Sequence, residues 1–156
     1  MKLIKNTYQL FFVLVVFALG LLGSNAVIAQ DQEVGLSVVA NPLGVPDELT
    51  SEEMKKIFLG QKQSWADNKI IKVALLKPDT KIGSAVSDKL YGMTPNELKK
   101  YWLAMAFQGR GKTPKFFDTT QELKNYINAN SGSIGIIEYA SEENLKFVPV
   151  DNKDFF

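Results

Sequence analysis

The chain has 156 residues, with 18 basic against 17 acidic side chains and neither cysteine nor histidine. That composition excludes a disulfide framework, an acylated cysteine, thiolate or imidazole metal sites and the usual nucleophile and general-base pairs. Near-neutral charge without a strongly basic face argues against nucleic-acid binding, and no repeat or low-complexity tract divides the sequence.

Lys2 and Lys5 precede an apolar stretch over 10–22, and small residues lead to Ala29. The stretch is shorter than the roughly 20 apolar residues of a membrane span. The pattern predicts a secretory signal over 1–29, cleaved after Ala29, and a single domain over 30–156 that is periplasmic or secreted and free of the membrane after cleavage. Loss of the two lysines leaves sixteen basic residues against seventeen acidic ones. The remaining length is sufficient to bury one core.

From 34 to 40 a loosely alternating run becomes continuously apolar, as expected of a strand covered on both faces, and the Pro42/Gly44/Pro46 segment ends it in a loop. Thr50 with Glu53 forms a capping box for a helix burying Met54, Ile57 and Phe58, with Gly60 as its stop. The β-branched run over 70–76 is a second strand. Asp79 or Thr80 then caps a helix with the stripe Ile82, Val86 and Leu90, which Gly92 ends.

Thr94-Pro95-Asn96-Glu97 combines a capping threonine, proline at the first helical position and glutamate at the third. Its helix turns Leu98, Tyr101, Trp102 and Met105 inward. A glycine-rich loop over 109–114 follows, and Thr119 with Glu122 opens a helix carrying Leu123, Tyr126 and Ile127. Strands over 133–140 and 145–150 complete the chain, with Gly135 allowing close approach of a neighbour. Alternating strands and helices give an α/β class with a twisted mixed sheet flanked by helices.

These segments occur in a familiar order. Val39-Ala40-Asn41, Leu49-Thr50, Ile57-Phe58-Leu59-Gly60 and Trp65 are followed by Lys77-Pro78-Asp79-Thr80, Thr94-Pro95 with Tyr101-Trp102, then Phe107-Gln108-Gly109-Arg110-Gly111, and finally Gly132-Ser133-Ile134-Gly135-Ile136. In that order they resemble the phosphate ABC-transporter substrate-binding family, of type-2 periplasmic-binding fold, in a short single-lobe form. Full-length members close two lobes around an anion. The resemblance implies no catalytic residues and no cofactor, a phosphate or similar oxyanion as ligand, and an ABC permease or another envelope protein as partner. Two departures accompany it: Ile136 stands where the family's last strand usually has tyrosine, and Gly83 stands where short members commonly carry an arginine.

Independently of the resemblance, the turn from Lys77 to Thr80 is the best candidate for chemistry. A helix N-terminus offers unpaired N–H groups and partial positive charge, Thr80 adds a hydroxyl, and Lys77 and Lys81 add formal charge, which suits an oxyanion. Arg110, the sole arginine, is the fourth candidate ligand-binding residue. The plain alternative for Thr80 is a helix cap. Gly111-Lys112-Thr113 is not a P-loop, because Ala106 occupies the place of the motif's first glycine. The adjacent pairs Glu52-Glu53 and Glu142-Glu143 point apart on a helix and read as caps and solvated charge. Tyr101, Trp102, Phe107, Phe116 and Phe117 read as core before platform. Two functions therefore compete at this level: oxyanion binding, or a ligand-free single lobe that docks to another envelope protein.

Overall fold

The computed structural model describes residues 34–109, 112–139, 145–154 and 156. The expected signal segment, Arg110 and Glu142-Glu143 lie outside the described residues. Residues 33–156 form a compact unit of their own.

The strands are β1 (Leu36–Ala40), β2 (Lys72–Leu76), β3 (Lys115–Phe117), β4 (Ser133–Glu138) and β5 (Lys146–Phe147), and the helices are α1 (Ser51–Phe58), α2 (Lys81–Tyr91), α3 (Pro95–Phe107) and α4 (Thr120–Ala129). They build one mixed sheet of order β3-β2-β4-β1-β5. β2 runs parallel to both β3 and β4, while β1 lies antiparallel to β4 and β5. β3 was not foreseen in the sequence, and the final strand is a two-residue pairing instead of the expected run over 145–150.

The period of two along each strand sorts side chains between two helical layers. Leu36 and Val38 of β1, Leu75 of β2, and Ile134 and Ile136 of β4 face one side, where Met54, Ile57 and Phe58 of α1 and Val86 and Leu90 of α2 cover them. Val39, Ala74, Leu76 and Ile137 face the other, under Leu123 and Ile127 of α4. Gly135 is what lets α4 lie so close: a Cβ there would stand 2.7 Å from the Ala74 carbonyl oxygen and 2.9 Å from Ile127 Cδ1.

The capping signals are realised as hydrogen bonds. Thr50, Thr94 and Thr119 each accept from the third residue of their helix, whose glutamate closes the box. α3 is the outlier in packing. It rests on the neighbouring helices through Trp102, edge-on to Tyr91 at 6.4 Å, and through Tyr101, whose hydroxyl donates to the Leu59 carbonyl. Only Leu98 and Trp102 of α3 are buried, and its other face carries Leu103 and Phe107 at 59% and 84% exposure. Among the described residues no helix is long and apolar enough to cross a membrane.

Candidate functional site

β2 sends the chain away through α2 and α3 to β3 on one side, whereas β4 leads towards β5 on the other. The carboxyl ends of these adjacent parallel strands therefore form a topological switch point, the usual ligand position of an open α/β sheet. Leu76 ends β2 here, so Lys77, Pro78, Asp79 and the N-terminus of α2 all lie at this edge. The sequence reading thus brings Lys77, Thr80 and Lys81 to one place. Arg110 is not among the described residues.

Thr80 acts as the cap of α2. Its hydroxyl accepts from Gly83 N–H at 3.0 Å and donates to the Lys77 carbonyl at 2.8 Å, and its own N–H donates to that same carbonyl at 2.9 Å. The hydroxyl proton is therefore already committed. Among the described residues, the N–H groups of Lys81 and Ile82 meet no protein acceptor, which leaves the first turn two donors for a ligand.

Gly83 is required by this turn. A Cβ at position 83 would sit 2.0 Å from the Lys77 carbonyl oxygen and 2.9 Å from Thr80 Oγ1. No side chain, an arginine's included, has room there, so position 83 of the first turn supplies no guanidinium clamp.

Charge at the edge is mixed. Lys77 Nζ lies 2.6 Å from Asp118, and this hydrogen-bonded pair, assisted by Asp79 and Glu122, pushes the lysine above its ordinary value. Asp79 is held below the usual carboxylate range by its own backbone N–H and by Lys99, 3.5 Å away. Lys81 is exposed and has no ion pair among the described residues. Asp118 was missed by sequence reasoning because it is 41 positions from Lys77 and only the β2–β3 pairing, itself unforeseen, brings the two together.

Beside this turn opens a groove of about 470 Å³. Lys77, Asp79 and Lys99 line its charged end, while Trp102, Leu103 and Ala106 of α3 with Phe116 of β3 supply apolar wall. Among the described residues the buried Trp102 indole N–H finds no acceptor in hydrogen-bond geometry. The Tyr91 hydroxyl, the nearby polar group that it influences, donates to the Phe58 carbonyl. Asn41 and Ile134 are themselves buried, at 5% and 0% exposure, while Leu43 beside Asn41 is exposed. Among the described residues no cluster of carboxylates could hold a metal ion, and Glu52 and Glu53 are engaged with Lys56, Lys62 and the Thr50 cap.

No protein-family model matches the chain, and no curated protein matches it in sequence. Solved structures do match. An ABC-type phosphate transport receptor from Vibrio cholerae superposes with a TM-score of 0.59 at 18% identity, over 79% of this chain and 49% of the receptor. The described residues have the fold of one lobe of such a protein. PstS from Borrelia burgdorferi gives 0.59 at 18% identity over 77% of this chain and 48% of its own. A phosphate ABC transporter substrate-binding protein with bound phosphate, from Clostridium perfringens, gives 0.54 at 16% over 77% and 46%. The chain spans about half the length of the solved proteins it matches.

Proposed function

We propose that this chain is an exported, non-enzymatic, substrate-binding-like lobe that takes phosphate or a similar small oxyanion at the first turn of α2, in the service of ABC-type uptake or sensing. The observation that carries the reading is the placement of α2: its N-terminus opens at the switch point of the sheet with two unpaired N–H donors and the exposed Lys81 beside them. Lys77 contributes charge, Thr80 orients the turn, and Arg110 remains the further cation of the sequence reading. The likeness to phosphate-binding proteins supports the ligand class as an analogy of fold. Because Asp79 and Asp118 already face the lysines, affinity for inorganic phosphate is weak and salt-sensitive.

Calorimetric titration of the chain from Gln30 onward with phosphate at low ionic strength tests this. Saturable heat at millimolar phosphate, lost in Lys81→Glu, is the expected result. No heat overturns it.

The exposed Leu103 and Phe107 on the outer face of α3 favour a second reading, a ligand-free lobe that docks to another envelope protein. That reading predicts no phosphate heat, retention of the protein with washed envelopes, and release by Phe107→Asp.

A further inference from the structure

The volume of the groove beside α2 is far larger than an inorganic oxyanion requires. At about 470 Å³ it falls in the range of roughly 300–1,000 Å³ typical of small-molecule sites. Its chemistry is also divided. Its charge comes from Lys77, Asp79 and Lys99, and much of the remaining lining is carbon: the Trp102 ring, Leu103, Ala106 and Phe116. A bare oxyanion would touch the first part and leave the second in water.

The charged end orients a ligand more than it holds one. Both lysines are already paired, Lys77 with Asp118 and Lys99 with Asp79, and all four side chains keep 45–68% of their surface exposed. Exposed pairs of this kind exchange partners at little net gain. A ligand's oxyanion can therefore replace a carboxylate without much being won, and tight binding has to come from apolar contact. The groove provides that contact within reach of the same lysine that belongs to the candidate oxyanion site. With Asp118 and Asp79 each facing one of the two lysines, that end is balanced in charge, and an anion gains there only by displacing a carboxylate.

We propose that the ligand is an oxyanion carrying an apolar substituent, such as the monoester of an aryl or short alkyl alcohol, with its charged head at Lys77, beside the first turn of α2, and its substituent along Trp102, Leu103 and Phe116. The inference rests on the oxyanion reading above and narrows it to a substrate class. The volume accepts one ring or a short chain. It does not accept a pair of acyl chains, so the substituent held in the groove is not a diacyl tail.

The test is a set of titrations of the chain from Gln30 onward with phenyl phosphate, inorganic phosphate and phenol. Phenyl phosphate is expected to bind about tenfold more tightly than inorganic phosphate. Leu103→Asn, at a position that is 59% exposed, removes that gain without adding a charge one turn from Lys99. Ala106→Trp, which fills the groove from another exposed position, does the same, so a folding defect in one variant does not decide the outcome. Equal affinity for the two phosphates, or a gain that survives both variants, overturns the inference while the oxyanion reading stands. Phenol binding as well as phenyl phosphate overturns it too, by showing an apolar site with no role for the lysines. If neither phosphate binds, the oxyanion reading fails and the narrower one fails with it.

Discussion

Replacing Gly83 by alanine sets two effects of opposite sign against each other. Alanine is the better helix former by about 1 kcal/mol, so helix propensity alone makes Gly83→Ala stabilising. The structure says otherwise. The new Cβ would lie 2.0 Å from the Lys77 carbonyl oxygen and 2.7 Å from its carbon, far inside the 3.4 Å of an ordinary contact, and the obstacle is backbone. Relief requires the Lys77 carbonyl to move, and that oxygen accepts both the Thr80 N–H and the Thr80 hydroxyl.

Two hydrogen bonds at about 0.5–1.5 kcal/mol each and an overpacking cost of about 1–3 kcal/mol, less the propensity gain, leave a net loss of roughly 3 kcal/mol. With a urea slope of about 2 kcal/mol/M for a domain of this size, the denaturation midpoint falls by about 1.5 M. Gly92→Ala, at the other end of α2, is the control: φ is 61° there, but nothing lies within 4 Å, so only left-handed backbone strain of about 1–2 kcal/mol applies. A Gly83→Ala midpoint at or above the parent's, or a loss no larger than at Gly92, refutes the steric account.

Two further outcomes are expected. Asn41 is buried, donates to the Ile127 and Asn128 carbonyls and accepts from Leu43 N–H. Asn41→Ala should therefore cost about 2–3 kcal/mol in urea denaturation, and a loss below about 1 kcal/mol would mean that water replaces these bonds without difficulty. Burial pushes the Tyr91 hydroxyl well above its ordinary value of 10.0. A raised folded value means that the neutral form stabilises the fold in full below pH 10 and that this contribution is lost as pH climbs above it. Ultraviolet titration of the chain from Gln30 onward, which holds four tyrosines, should show one that ionises only when the protein unfolds. Four tyrosines titrating together near pH 10 would contradict the buried placement.

The helices were largely legible because their signals are local. Thr50, Thr94 and Thr119 each sit three residues before a glutamate, and all three boxes form. β3 was hidden because three residues carry no readable period, and only pairing with β2 makes Lys115–Phe117 a strand. Phe107 shows a different limit. The run over 101–107 is apolar on every side of its helix, so periodicity could not choose a face, and packing against neighbouring helices left Phe107 outside. At the candidate site, the cap at Thr80 was readable from its neighbours, whereas Asp118 beside Lys77 depends on a parallel crossover. Gly83 was visible as a departure, but the carbonyl that forbids any other residue there was not.

The final residue also has a practical consequence. Phe156 exchanges both main-chain hydrogen bonds with Leu36, at 2.9 and 3.1 Å, and Leu36 stands opposite Glu138 at the carboxyl end of β4. Residue 156 thus pairs with β1 on the side away from β4, whereas the groove lies at the other end of the strand order, beside β3. A variant lacking residue 156 would leave the Leu36 N–H and carbonyl without these partners and loosen the start of β1, while the groove itself would keep its lining.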